Sequence, residues 1–323
     1  MIRTALIWLL FLFCLTATAG MARAQTCSFS ASDIVFGQVD TLSSGATDTT
    51  GTISVSCSAF LGLLSSIDIR IHVGEGRGGA NGATRRMTST TTATPLNFQL
   101  YHDAARSDLL GGSYWSYGGQ PIRLTGASVL TLLTTSGMNV PVYARVPGGQ
   151  GSVIPGSYGS VFDRNPLDVR VDYTTCNLLL FCTNRTASFS FSVLADVVPD
   201  CLVTAEDLDF GTTGLLNSAI DATSQIDVTC TANSAFDIGL GYGFYGTGPG
   251  DRKMQDTGGN QIWYGLFRDA ARSLSWGELG DGAAQPGTGS GAAQSFTVYG
   301  RVPAQATPPP GIYSDTIIVT ITY

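Results

Sequence analysis

Apolar and polar residues alternate along much of this chain. In Ile67-Asp68-Ile69-Arg70-Ile71-His72-Val73 every second residue is aliphatic, and Leu167-Asp168-Val169-Arg170-Val171-Asp172-Tyr173 repeats the pattern. A period of two places successive side chains on opposite faces, which predicts half-buried β-strands. The final residues alternate too, with Ile317, Val319, Ile321 and Tyr323 against Thr316, Ile318, Thr320 and Thr322. Ile318 interrupts the polar face, which predicts a strand covered on both sides. Glycine-rich stretches, Gly74 to Gly82 and Gly280 to Gly291, punctuate the strands. No segment carries a convincing amphipathic helical period. Ala104-Ala105-Arg106 and Ala270-Ala271-Arg272 predict a single helical turn at most.

The pattern occurs twice. Leu100-Tyr101-His102-Asp103-Ala104-Ala105-Arg106-Ser107 matches Leu266-Phe267-Arg268-Asp269-Ala270-Ala271-Arg272-Ser273. Val142-Tyr143-Ala144-Arg145-Val146-Pro147 matches Val298-Tyr299-Gly300-Arg301-Val302-Pro303, and Pro155-Gly156-Ser157-Tyr158 matches Pro310-Gly311-Ile312-Tyr313. Three blocks in one order imply two homologous domains. Short strands and tight turns, with only 13% charged residues and 40 glycines, predict all-β sandwiches. The domain boundary is expected at Val198-Pro199-Asp200, giving domains 25–199 and 200–323. Copy one continues past its last matched block through Cys176 to Phe189-Ser190-Phe191-Ser192-Val193, whereas copy two stops at Tyr323. A sandwich one strand short has an open edge and groove, and so needs a partner.

Residues 1–24 read as a secretory signal: Arg3, an apolar stretch from Ala5 to Leu15, and the small-x-small site Ala22-Arg23-Ala24, leaving Gln25 first. Six of the seven cysteines lie beyond that site. Cys27 and Cys57 hold the places in copy one that Cys201 and Cys230 hold in copy two, so the expected disulfides are Cys27–Cys57, Cys201–Cys230 and the remaining Cys176–Cys182. Paired cysteines in an exported chain imply an oxidising compartment such as the periplasm or cell surface. The formal charge of -7 becomes -9 without Arg3 and Arg23, and Lys253 is the only lysine. An acidic chain without basic clusters argues against a nucleic-acid partner.

No residue set asks for catalysis, a cofactor or a metal. His72 and His102 fall on expected strands without a supporting constellation, and His102 matches Arg268 in copy two. Gly76-Arg77-Gly78-Gly79 lacks the ending and the strand-to-helix context of a phosphate loop. Asp103 and Asp269 recur, which points to shared turn chemistry.

The blocks resemble the spore coat protein U domain family, whose members include subunits of archaic, Csu-type chaperone–usher pili. The resemblance rests on the first cysteine pair of each copy, Arg86-Met87 and Lys253-Met254, the Leu-Tyr/Phe-x-Asp-Ala-Ala-Arg block, and the Pro-Gly-x-Tyr block running into the terminal strand. It implies immunoglobulin-like sandwiches, of which the C-terminal one lacks its last strand. It also implies a periplasmic chaperone that fills the groove, an outer-membrane usher, and an adjacent pilin whose N-terminal extension replaces the chaperone by donor-strand exchange. Ile317, Val319, Ile321 and Tyr323 would line that groove.

Only Gln25 and Thr26 would precede Cys27, and two residues reach about 7 Å, too short for a donor strand. Copy one also supplies its own last strand, Ser188 to Val198. A subunit that accepts a strand and gives none belongs at the pilus tip. Copy one carries apolar insertions that copy two lacks: Ser58-Ala59-Phe60-Leu61-Gly62-Leu63-Leu64-Ser65-Ser66 and Cys176-Asn177-Leu178-Leu179-Leu180-Phe181-Cys182. In an immunoglobulin-type sandwich these loops share one end. Phe60, Leu61, Leu63, Leu64, Leu178, Leu179, Leu180 and Phe181, with Tyr114 and Trp115, are the expected contacts to a hydrophobic or host surface. The alternative is a free secreted, lectin-like binding protein made of two complete sandwiches.

Overall fold

The computed structural model describes residues 26–58, 66–135, 137–177 and 181–323. Copy one contains β1 (Cys27–Ala31), β2 (Ile34–Val39), β3 (Thr47–Cys57), β4 (Ser66–Val73), β5 (Ala80–Asn81), β6 (Thr84–Met87), β7 (Leu96–Tyr101), β8 (Ile122–Thr125), helix α1 (Ala127–Thr135), β9 (Met138–Val146), β10 (Gly156–Phe162), β11 (Val169–Asn177), β12 (Phe181–Ala187) and β13 (Phe191–Val197). One sheet runs β1-β3-β9-β7-β6-β5; the other layer is built from β10-β13-β2 and β12-β11-β4-β8. Inward residues of both layers, among them Ile69, Ile71, Phe98, Leu100, Phe162 and Val193, form one buried core.

Copy two repeats the plan with fewer strands: β14 (Cys201–Ala205), β15 (Ile220–Cys230), β16 (Ala235–Leu240), β17 (Arg252–Gln255), β18 (Gln261–Phe267), β19 (Gln285–Thr288), β20 (Gln294–Val302) and β21 (Val319–Thr322). Its sheets run β14-β15-β20-β18-β17 and β19-β16-β21 around a separate core that includes Ile238, Leu240, Leu266 and Trp276. The chain is thus nearly all β, in two sandwiches, as the alternation predicts. The three disulfides are the expected ones, Cys27–Cys57, Cys176–Cys182 and Cys201–Cys230.

The recurring blocks build the same supports in both copies. Asp103 Oδ1 accepts the backbone N–H groups of Ser107 (3.0 Å) and Asp108 (2.8 Å). Asp269 does the same for Ser273 (2.9 Å) and Leu274 (2.7 Å). These donors favour the charged carboxylate and hold both aspartates below their ordinary range. The turn is closed by Arg106 and Arg272, each left-handed at φ 57°. Arg106 reaches Asp48 (3.2 Å) and lies over Tyr143, while Arg272 reaches Asp221 (3.3 Å) and lies over Tyr299. Arg145 and Arg301 grip the same two aspartates. The Asp-Ala-Ala-Arg and Val-Tyr-x-Arg-Val-Pro blocks recur together because one clamps the other. In the third block, Tyr158 donates to Ile154 O and Tyr313 to Pro309 O, both at 2.7 Å, a tyrosine corner in each sandwich.

A buried arginine completes each scaffold. Arg85 donates to the carbonyls of Gly74 (2.6 Å), Val73 (3.0 Å) and Leu110 (2.8 Å), and Trp115 covers it at 3.8 Å. Arg252 donates to Gly241 (2.8 Å), Leu240 (2.8 Å) and Trp276 (2.7 Å). Burial pushes the Arg85 guanidinium down to about 9, so it stays charged at neutral pH. Backbone carbonyls from two segments, Val73–Gly74 and Leu110, and the Gln99 amide oxygen, rather than a salt-bridged carboxylate, surround that charge.

Three sequence expectations are corrected. A nine-residue helix, α1, stands where none is expected; its Leu130 and Leu133 are buried against copy one's core. Trp115 lies inward over Arg85 and is only 6% exposed, so it is not a surface residue. Ile318 is 69% exposed, so β21 has one covered face and not two.

His72 lies beneath the loop that carries Tyr114. Its Nδ1 accepts the Ser113 N–H (3.2 Å) and its Nε2 lies 3.4 Å from Asp172. Tyr114 packs edge-on against the ring, and Arg170 and Arg70 also face it. Burial first, then the two arginines, depress its pKa against the opposing pull of Asp172. A depressed histidine resists protonation in the folded state. Stability therefore falls as pH drops below about 6.5, the unfolded value.

Two measurements check this scaffold. Arg85→Met strands three buried carbonyls and should cost copy one about 3 kcal/mol, read by urea unfolding; an unchanged midpoint would contradict the role assigned to Arg85. Between about pH 6.5 and 5 the wild type should lose stability more steeply than His72→Gln; equal slopes would contradict the buried, neutral histidine.

Candidate functional site: an apolar end and an open groove

The strand registers fix which loops share an end of copy one. Thr47 at the start of β3 pairs with Val146 at the end of β9. The loop that follows β9 contacts copy two, where Ala232 N–H donates to Gly151 O (3.3 Å) and the backbones of Gly151 and Gly291 meet closely. The opposite ends of these strands, Cys57 and Met138, therefore point away from copy two. Cys27 pairs with Cys57, and Cys176 pairs with Ser66, so both insertions leave the sandwich at this distal end.

Phe60, Leu61, Leu63, Leu64, Leu178, Leu179 and Leu180 lie outside the described residues. Their anchors are described. The first insertion hangs between Cys57, tied to Cys27, and Ser66 at the head of β4. The second spans the hairpin of β11 and β12, closed by Cys176–Cys182, with Phe181 opening β12 opposite Asn177. Helix α1 packs on β3 and β4 at the same end and presents Leu132, 42% exposed. In copy two only residues 289–293 stand in its place. The sequence signal was weak: nine residues rich in threonine, with Val129, Leu130 and Leu133 as the buried set. Tyr114 is partly exposed but lies over His72, above the outer face of β4 and β11.

The second feature lies in copy two and shows best by comparison. In copy one, β13 lies between two strands. It pairs antiparallel with β10 and parallel with β2. Its inward residues Phe191, Val193, Ala195 and Val197 are buried, as are Tyr158, Phe162, Val169, Val171 and Tyr173 beside them. β21 answers to β11: Leu240 pairs with Val319 and Ile238 with Ile321, as Val73 pairs with Val169 and Ile71 with Val171. The counterpart of β2 is also legible. Asp33-Ile34-Val35-Phe36-Gly37 matches Asp207-Leu208-Asp209-Phe210-Gly211, and both glycines are left-handed, at φ 70° and 75°. In copy two this stretch forms no strand.

Among the described residues, no strand pairs with the free edge of β21 or of the stretch before it, as β12 and β13 pair with β11 and β10 in copy one. Side chains that are buried in copy one are uncovered here. Ile317, Val319 and Ile321 are half-buried against the core, Leu208 and Phe210 likewise, and Tyr323 is 53% exposed. Ile317, Val319, Ile321 and Tyr323 alternate along this terminal stretch, and Leu208 and Phe210 pack partly buried against the same core as the three aliphatics. The sequence reading missed Leu208 and Phe210 because the alternation Asp207-Leu208-Asp209-Phe210 ends at Gly211, too short to mark a strand.

Comparison with known proteins agrees with this architecture. The Spore Coat Protein U domain model matches residues 12–163 and 187–320. Protein U of Myxococcus xanthus is 33% identical over 128 residues, covering 36% of this chain and 71% of that protein. Among solved structures, the CsuC–CsuE chaperone–tip adhesion subunit pre-assembly complex from archaic chaperone-usher Csu pili of Acinetobacter baumannii matches with a TM-score of 0.53 at 18% identity, over 92% of this chain and 100% of the matched one. The CupB6 tip adhesin of Pseudomonas aeruginosa aligns more loosely, with a TM-score of 0.33 at 12% identity over 91% and 94% of the two chains. With matches across both copies, the chain belongs to the Spore Coat Protein U domain family.

Proposed function

We propose that this protein is the tip adhesin subunit of a chaperone–usher pilus. Copy one is a self-complete sandwich that meets a surface through its distal apolar loops. Copy two accepts the donor strand of an adjacent pilin after a periplasmic chaperone and an outer-membrane usher have handled it. The route is export through the periplasm to the cell surface. One observation carries the reading: β13 fills copy one between β10 and β2, and copy two has both flanking segments without the strand. A strand added there gains main-chain hydrogen bonds along the stretch that follows the Tyr313 corner, the counterpart of β10 and β11, and buries alternate apolar side chains, each worth about 1.5–3 kcal/mol when fully covered. The likeness in fold to a chaperone-bound tip adhesion subunit supports the same reading.

The surface-binding end is argued from asymmetry. The insertions 58–66 and 177–181 and helix α1 belong to copy one alone, and all of them leave the end that faces away from copy two. Loops tied by disulfides and by a helix lose little entropy on contact, which suits apolar adhesion.

Two experiments test the proposal. Residues 25–199 secreted alone should melt cooperatively, whereas residues 200–323 should do so only with a chaperone or a fused donor strand; a donor-independent melt of the second fragment would overturn the reading. Leu179→Ser, Leu63→Ser and Leu132→Ser should each weaken attachment of the assembled protein to a hydrophobic surface several-fold, with melting unchanged. Full attachment by the triple variant would remove the apolar loops from the account.

A further inference from the structure

Copy two exposes two large aliphatic residues where copy one is polar. Ile312 is 89% exposed and Leu215 is 63% exposed. Their counterparts follow from the repeated hydrogen bonds. Tyr313 matches Tyr158 through its bond to the carbonyl four residues back, so Ile312 matches Ser157. Gln305 matches Gln150. Gln305 Oε1 accepts Trp263 N–H (3.0 Å) and its amide donates to Trp263 O (2.9 Å), as Gln150 Oε1 accepts Asn97 N–H (2.8 Å) and its amide donates to Asn97 O (3.2 Å). The backbone N–H of Gln305 donates to Leu216 O as that of Gln150 donates to Thr41 O, so Leu215 matches Asp40.

In copy one these positions flank one place, the C-terminal end of β13. Val197 pairs with Gly156 on one side and with Val39 on the other. Ser157, directly opposite Asp196, donates its hydroxyl to that carboxylate at 2.6 Å on the outer face of the sheet. Asp40 follows Val39 on the other flank. A strand entering copy two in the same sense would therefore leave the groove between Ile312 and Leu215. Its outward residue at the Asp196 position would face Ile312, which cannot accept or donate a hydrogen bond.

Resting on the donor-strand reading above, we propose that Ile312 and Leu215 form an apolar mouth that selects the incoming strand. The partner it fits is a strand with an aliphatic, outward-facing residue at the position that aspartate holds in β13. Selection of this kind is separate from groove filling, because it acts on the outer face, whereas Val319 and Ile321 act on the inner one. Cross-strand aliphatic pairs stabilise a sheet, and an aspartate against isoleucine forfeits both packing and a hydrogen-bond partner. The copy-one pair Ser157–Asp196 is the polar version of the same contact.

The test uses the full chain with a strand appended after Tyr323 through a short Gly/Ser linker. The appended strand repeats the sequence of residues 188–198, with either aspartate or valine at the position equivalent to Asp196. The readout is the melting temperature of copy two, in the wild type and in the variant carrying Ile312→Ser and Leu215→Asp. In the wild type the valine strand should melt about 2–4 °C above the aspartate strand. In the double variant that preference should vanish or reverse. The same valine preference in both backgrounds would overturn the mouth and leave the groove standing. If neither appended strand gives copy two a cooperative melt that the unextended chain lacks, the donor-strand reading itself fails, and this inference with it.

Discussion

One strand-pairing site governs this molecule. A sandwich of this plan closes only when a strand lies between the segment after its first strand and the strand after its tyrosine corner. Copy one fills the site with β13, which satisfies a row of main-chain groups on both flanks and packs its inward residues into the core beside Tyr158 and Phe162. Among the described residues copy two has no strand at the equivalent place. Leaving such an edge uncovered costs both apolar exposure and unpaired backbone.

The rest of each copy is built from the same supports. The aspartate-closed turn, the arginine clamp on Asp48 or Asp221, the tyrosine corner and the carbonyl-bound buried arginine occur in both sandwiches with closely similar distances. They fasten the turn after β7 or β18 to β3 and β9 or to β15 and β20, and the buried arginine ties β4 or β16 to its neighbours. The repeated sequence blocks are thus fold supports. What the copies do not share is the distal insertions with α1 in copy one, and the uncovered strand edge with the exposed Ile312 and Leu215 in copy two.

Much of this was legible in the sequence because period-two alternation, cysteine spacing and repetition are local signals. The strands around Ile67 and Leu167, the disulfides and the truncated second copy follow from them. What was not legible depends on tertiary context. Trp115 reads as a loop aromatic, yet the buried Arg85 draws it inward as a cover. Ile318 reads as buried, yet no element packs over its face of β21, and it stays exposed. Helix α1 is too short and too rich in threonine to announce itself, and it forms because Leu130 and Leu133 dock on copy one's core. Leu208 and Phe210 could not be placed without β2 as a template, since the alternation Asp207-Leu208-Asp209-Phe210 is too short to read as a strand.

The central claim is that copy one is closed and copy two is open within the same chain. Amide hydrogen exchange on the intact protein tests it most directly, residue by residue, with and without a donor-strand peptide. The account predicts strong, peptide-independent protection along β10 and β13. It predicts fast exchange along β16 and β21 that slows by orders of magnitude when the peptide binds. Equal, strong protection of both copies in the absence of any added strand would contradict it.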